Sequence, residues 1–279
     1  MFFLKKIINF IIYLFIKLRI LKLPKKSLRI LMFHNITDYK KFVSQIRLLQ
    51  KEWRIISYRE FYKIIRKQKK IEERLLLLTF DDGFKSNYYV AEKYLKKMKL
   101  NAIFFVPLKF VTLKNRKEIN HFIKNNLKIQ FLKKNMINLN FKDLKKIIKL
   151  NNLIGAHTFS HLNLNFIKDK KKIYFEIVKS ANLLQKKLNI KIRNFSFNFG
   201  RLEHISPISL NIAKKRFENI FTGIRGDNLH SQKIFFRDNI SPTDNIFDLY
   251  SYLGGYLDFL YYKERKIVLK ASKSLNSKF

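Results

Sequence analysis

From residue 29 onward the chain alternates short apolar runs with lysine-faced stretches of helical period. The runs LRILMF, RLLLLTF, NAIFFV, NLIGAH and RNFSFNF are each of strand length and lack strict two-residue polarity, as strands buried on both faces do. Between them Tyr39 to Lys51, Tyr58 to Lys67, Asn87 to Lys99, Phe141 to Leu150 and Lys168 to Lys187 read as helices. Strands alternating with helices of this length predict βα units around a largely parallel sheet. In such a sheet, chemistry collects where strands end and loops begin. The basic stretch from Val111 to Leu139 has little periodicity and reads either as an excursion between barrel elements or as an ordered insertion that shapes a binding groove. No repeat or low-complexity linker interrupts the pattern, so one domain is expected over residues 26 to 279.

Residues 1 to 25 differ from the rest of the chain. An apolar run from Ile7 to Ile16 stands behind Lys5 and Lys6; it is too short to cross a bilayer, which needs about 20 residues. Lys17, Arg19 and Lys22 occupy the positions where a signal peptide carries small residues. Three readings remain: an uncleaved anchor with a snorkelling basic flank, a helix lying in the membrane interface, and a first helix packed on the domain. Pro24 marks where the folded domain starts.

Composition changes this picture little. With 279 residues and 47% hydrophobic content the chain can bury a sizeable core. A formal charge of +39 would ordinarily point to nucleic acid or an anionic surface. Here Lys, Asn, Ile and Phe are abundant together, all with A/T-rich codons, and the lysines run from end to end without an arginine-rich arm or zinc-finger spacing. Nucleic acid is therefore not expected as a partner; attraction to acidic lipid or polymer is a by-product of solvated lysine faces. The absence of cysteine excludes disulfides and thiolate chemistry without choosing a compartment.

Candidate chemistry begins at TFDDG, residues 79 to 83, directly after a leucine run. A turn at a strand end can bring Asp81 and Asp82 to one mouth. One carboxylate then binds a cation while its neighbour takes a proton from water; the alternative is that one of them caps a helix starting near Ser86. IGAHTFSHLNLN carries His157 and His161 four residues apart, so their imidazoles can converge on one ion from a helical turn or a tight loop. Two histidines and a carboxylate leave coordination positions open, as catalytic sites do. Zinc lowers the pKa of water from about 15.7 to about 7, which at roughly 1.36 kcal/mol per unit is on the order of 12 kcal/mol. That favours metal-assisted hydrolysis over two-carboxylate glycoside cleavage. Gly83, Gly155 and Gly200 edge three of the apolar runs, where sharp turns or close backbone approach suit glycine.

These stretches resemble a known family. TFDDG followed by H-T-x-x-H is similar to the first two motifs of the NodB-homology polysaccharide deacetylases, carbohydrate esterase family 4. ILMFHNI resembles the opening of the subgroup related to poly-N-acetylglucosamine deacetylases, KLNAIFFV the strand after the first motif, and FSFNFG the FAYPFG form of the third. The resemblance implies an α/β fold, a distorted (β/α)7 barrel of the NodB-homology type. It implies a metal-dependent hydrolase that removes acetyl groups, N-acetyl foremost, from a cell-surface or lipid-linked polysaccharide. Asp81 is implied as general base, and Asp82, His157 and His161 as ligands of a divalent ion, Zn2+ foremost with Co2+ or Ni2+ as alternatives. A backbone N–H near Phe199 is implied as the oxyanion donor. Asn198 replaces a proline of the third motif, and the histidine of the last motif has no clear match. The general acid is open, with His34 first and His230 and His204 behind it. FFRDNI resembles a strand of the subgroup, so that Arg237 would orient Asp81; a surface arginine is the alternative. A catalytically impaired glycan-binding relative remains the other reading. The partners implied are an acetylated glycan and, through residues 1 to 25, a membrane surface, with a bacterial, membrane-associated location on either side.

Overall fold

The computed structural model describes residues 2–67, 69–132, 136–230 and 233–274. The five apolar runs become the parallel strands β1 (Ser27–Phe33), β3 (Arg74–Phe80), β4 (Ile103–Val106), β5 (Leu153–Ala156) and β6 (Asn194–Ser196), and short strands that the runs did not include join them: β2 (Arg54–Ile55), β7 (Asn219–Phe221), β8 (Ile234–Phe235) and β9 (Asp238–Asn239). Every ladder among them is parallel, in the order β8-β7-β6-β5-β4-β3-β1-β9 with β2 also on β3. β8 and β9 lie on one stretch of chain that pairs with β7 at one edge and β1 at the other. The sheet is thus curled into a barrel of seven staves, the last a broken strand. The break falls at Phe236 and Arg237, whose N–H groups donate to Asn228 Oδ1 (2.8 Å) and Ile224 O (3.0 Å) instead of to a ladder.

Side-chain alternation along the strands divides the interior in two. Leu28, Ile30, Leu75, Leu77, Ile103, Phe105, Phe221 and Phe235 fill the lumen, with Phe61 packed against them. Leu31, Phe33, Leu76, Leu78, Phe80, Phe104 and Val106 face outward beneath the helices. Both faces are buried, which is why these runs, RNFSFNF apart, show no polar alternation. Burial of each such side chain contributes about 1.5–3 kcal/mol. Arg29 lies on the same outer face and is charged, yet only 1% exposed. Its guanidinium forks onto Asp238 (Nε to Oδ2 2.8 Å, Nη2 to Oδ1 2.6 Å) and donates to Asp258 Oδ2 (2.7 Å) and Tyr252 O (2.8 Å). This bond holds β9 on β1, and alternation then turns the preceding residue, Arg237, into the lumen.

The helices lie close to where the periodicity puts them, for example Tyr39–Leu49 begun by an Asp38 cap and Phe141–Lys149 begun by an Asn140–Asp143 capping box. The helices expected over Asn87 to Lys99 and Lys168 to Lys187 differ in kind, since each contains a π-helical stretch, Val90–Leu95 and Phe175–Lys179. The described residues of the weakly periodic Val111 to Leu139 form an ordered insertion. Its helix Arg116–Asn125 packs Ile119, Phe122 and Ile123 on Phe84 and Phe110. Its end returns to the strand-end loop, where Leu139 N donates to Gly83 O (2.8 Å) and Lys85 N to Ile137 O (2.8 Å). The N-terminal segment forms a helix, Phe2–Lys17, docked on the helix Ile246–Leu253; none of the described helices is long and apolar enough to cross a membrane.

Candidate active site

Leu75, Leu77, Thr79 and Asp81 continue one alternation, so Asp81 enters the lumen at the carboxyl end of β3. Strict alternation would send Asp82 the opposite way. Instead Asp82 adopts φ +72°, followed by Gly83 at +73°, and the left-handed turn swings its carboxylate to the same mouth. Such a conformation costs a non-glycine residue about 1–2 kcal/mol. Thr158 (+61°), His161 (+57°) and Phe199 (+58°) share it, so strained backbone is concentrated around this mouth. Neither aspartate caps a helix: the next one, Lys85–Tyr89, starts from Phe84 with no side-chain cap.

His157 follows β5 and His161 sits four residues on, in a tight loop rather than a helix. Their Nε2 atoms lie 3.6 Å and 3.2 Å from Asp82 Oδ1. His157 Nδ1 is 2.8 Å from Ser196 O and His161 Nδ1 is 3.0 Å from Asn126 O. A backbone carbonyl only accepts, so each Nδ1 donates to it and each Nε2 is the ring atom that faces Asp82. One ligand atom from each of Asp82, His157 and His161 lies within 4.8 Å of the others, all three residues being buried. This donor set fits a divalent ion, with positions left for water and substrate.

Asp81 stands beside this trio, its Oδ2 3.8 Å from His157 Nε2. Arg237, fully buried, forks onto it, Nη1 to Oδ1 at 2.8 Å and Nη2 to Oδ2 at 2.7 Å. The remaining Arg237 donors reach Thr222 O (2.8 Å), Thr79 Oγ1 (3.1 Å) and Ser196 Oγ (2.6 Å), and Ser196 Oγ donates to Asp81 Oδ2 (3.1 Å). Burial alone would raise the Asp81 carboxyl, but the guanidinium outweighs it and holds the group below its ordinary value. Asp82 is likewise buried and is held well below the carboxylate range by the two imidazoles at its oxygen.

A cavity of about 210 Å³ opens over these groups, walled by His34, Phe199 and, from the insertion, Leu127 and Ile129. Phe199 stacks edge-on to His161 (4.8 Å between rings), and its backbone N–H donates to no protein acceptor among the described residues. The proline-to-asparagine departure is absorbed by hydrogen bonds: Asn198 Nδ2 donates to Thr158 Oγ1 (2.9 Å) and Leu162 O (3.0 Å), tying the third-motif loop to the histidine loop. Gly200 has φ +72°, and a Cβ there would fall 2.2 Å from Gly223 N, so the two backbones cross only without a side chain. Gly155 is inside β5 rather than at a turn, and the ring of Phe105 fills the space of its Cβ (2.4 Å).

The histidines considered for the acid role separate. His34 lines the site cavity. His204 rests on Phe199, 5.2 Å between rings, where burial pushes its imidazole below the ordinary value. His230 is removed from the site, lining a different cavity with Lys26 and Leu28 at the amino end of β1.

Two supporting residues escaped sequence reasoning. Ser196 was visible only as the middle polar position of the alternation N-F-S-F-N. Glu176, 3% exposed in the π-helical stretch, was hidden among lysines; it accepts from Phe159 N (3.0 Å), Ser160 N (2.9 Å) and Ser160 Oγ, and so clamps the loop between the two histidines. Glu176→Ala is expected to weaken divalent-metal affinity about 10- to 100-fold, the scale of outer-shell losses at metal sites, with Glu176→Gln retaining more. Metal titration by calorimetry checks it, and unchanged affinity in the alanine variant would remove Glu176 from the support of the site.

Comparison with known proteins places this geometry. YxkH of Bacillus subtilis (strain 168), which carries the polysaccharide deacetylase name, is 24% identical over 183 residues, 63% of this chain. The chain spans 57% of that relative's length. Among solved structures, IcaB from Ammonifex degensii superposes with a TM-score of 0.64 at 18% identity, over 84% of this chain and 97% of that one. The deacetylase PplD of Streptococcus pyogenes gives 0.62 at 18%, over 83% and 99%. A de-N-acetylase from Aggregatibacter actinomycetemcomitans gives 0.61 at 12%, over 81% and 99%. At these identities the structures show a common fold, the NodB-type barrel. The sequence profile of the polysaccharide deacetylases matches residues 68–215, more than half of the chain and every residue from Asp81 to His161, and on that match the chain belongs to the polysaccharide deacetylase family.

Proposed function

We propose that the chain is a metal-dependent hydrolase that removes acetyl groups, N-acetyl groups foremost, from a cell-surface or lipid-linked polysaccharide. The observation that carries this is a division of labour between adjacent carboxylates. Asp82 closes the trio with His157 and His161, while Asp81 is held apart by the Arg237 fork and still faces the same cavity. Asp82 Oδ1 and the two Nε2 atoms would hold a divalent ion, zinc foremost with cobalt or nickel as alternatives, which when bound supplies Lewis acidity toward water and the acetyl carbonyl.

Each chain group then has one task. Asp81, ionised and fixed by Arg237, takes the proton from the attacking water; Arg237 is a positioning residue, since its donors are spent on Asp81, Ser196, Thr79 and Thr222. The Phe199 N–H donates to the oxyanion that forms at the acetyl carbonyl. His34 gives a proton to the departing sugar amine, so that water and the amide become acetate and a free amine. Leu127, Ile129 and Phe199 exclude bulk water from the cavity. The names of two fold neighbours, a de-N-acetylase and a deacetylase solved with acetate, point the same way.

The test is acetate release by the full chain from a panel of N-acetylated and O-acetylated oligosaccharides, before and after chelation and zinc restoration. Release from N-acetylated sugars that chelation stops and zinc restores is expected. Stoichiometric metal without release from any member would replace this reading with that of a glycan-binding relative.

A further inference from the structure

The helix Phe2–Lys17 carries its polarity inside out. Its polar residue Asn9 is fully buried, bonded to Asp248 and accepting from Ser251 Oγ at its carbonyl (3.3 Å), while Phe10 and Tyr13 pack on the ring of Phe247 (5.0 Å and 4.9 Å). The side turned away from the protein is Ile7, Ile8, Ile11, Leu14, Phe15 and, just past the helix, Leu18, each 38–59% exposed. At the helical period these six fall within roughly 120° of circumference. A helix on a water-facing surface shows charges on that arc; a helix apolar on both sides has a second apolar neighbour.

Charge identifies the neighbour. Lys6, Lys17, Arg19, Lys22, Lys25 and Lys26 are exposed around this helix and its exit, and no Asp or Glu occurs before Asp38. A second copy meeting this face across a twofold axis would bring the two cationic rims together. Lipid phosphates would neutralise them, and the helix is too short to span. We propose that this face seats in the interface of an anionic lipid bilayer, its apolar arc about 5–10 Å into the headgroup boundary.

The docking geometry sets the orientation. Phe10 meets Phe247 and Tyr13 meets Tyr250 (5.5 Å), so the helix runs alongside Ile246–Leu253 in the same direction. That helix starts just past the carboxyl end of β9 and ends where Tyr252 O accepts from Arg29, near the start of β1. Both therefore run along the barrel wall, and the molecule lies on its flank with the site mouth opening along the membrane surface. This inference stands independently of the deacetylase reading.

The experiment is flotation of the full chain with vesicles of phosphatidylcholine alone and of phosphatidylcholine mixed with phosphatidylglycerol. Binding to the mixed vesicles, weakened by salt, is expected. The triple variant Ile7→Glu, Ile11→Glu, Leu14→Glu is expected to lose at least tenfold in partitioning with an unchanged thermal midpoint, because all three side chains face outward. Trp53, the single tryptophan, is buried, so the fluorescence added by Ile11→Trp should be quenched by brominated lipid. Undiminished binding of the triple variant, failure of the parent to bind mixed vesicles, or self-association that the variant abolishes without any vesicle binding would each overturn the proposal.

Discussion

The His161→Ala chain is expected to be isolated without stoichiometric divalent metal and to release acetate at least about 10³-fold more slowly than the parent, a loss of about 4 kcal/mol of transition-state stabilisation. Three protein donors converge at this mouth, and removing one leaves two, too few to retain the ion against water. The same result is expected of His157→Ala and Asp82→Asn. Each histidine also bonds a backbone carbonyl, Ser196 O or Asn126 O, so circular dichroism and the thermal midpoint should accompany the assay. Mass spectrometry of the isolated chain gives the metal content. Acetate release at the parental rate from a metal-free His161→Ala chain would sink the ligand assignment.

Asp81→Asn is expected to behave differently, keeping the metal while losing about 10²–10⁴-fold in rate, the range of a positioned general base. The Asp81 carboxylate accepts both arms of Arg237, whereas an asparagine presents an NH2 to one of them. The buried guanidinium then loses its counter-charge, and up to about 3–5 kcal/mol of stability is at stake. Thr222 O and Ser196 Oγ, which remain, should reduce that cost. Retained metal with lost turnover separates base from ligand; loss of both would make Asp81 part of the metal site. The pH dependence of stability has a definite sign. The folded Asp81 carboxyl lies below its ordinary value, so its stabilisation is complete above the unfolded value near about 3.9 and is lost as pH falls through the lowered folded value. The variant should lack that part of the parent's acid destabilisation.

The strand pattern was readable where burial is uniform. RLLLLTF ends where β3 ends, at Phe80, because a strand covered on both faces is apolar throughout and stops where its chain meets the mouth. The insertion helix Arg116–Asn125 was not readable, since its three buried positions, Ile119, Phe122 and Ile123, make a short stripe among lysines. The stave made by β8 and β9 was legible only through the likeness of FFRDNI to a strand of the subgroup and not from periodicity, because its four ladder residues are split between partners at opposite edges of the sheet.

At the site, the sequence by itself determined the paired carboxylates of TFDDG and the H-x-x-x-H spacing, along with their family. Local order is enough there, since each pair sits within five residues of chain. Tertiary structure alone decided which carboxylate faces the imidazoles, through the left-handed turn at Asp82, and what holds the other. Arg237 and Ser196 meet Asp81 across 156 and 115 residues of chain, and no local periodicity records a contact of that span. Closure of the barrel brings β3, β6 and the broken last stave to one mouth, and only there do Asp81, the arginine that forks onto it and the trio of Asp82, His157 and His161 become one site.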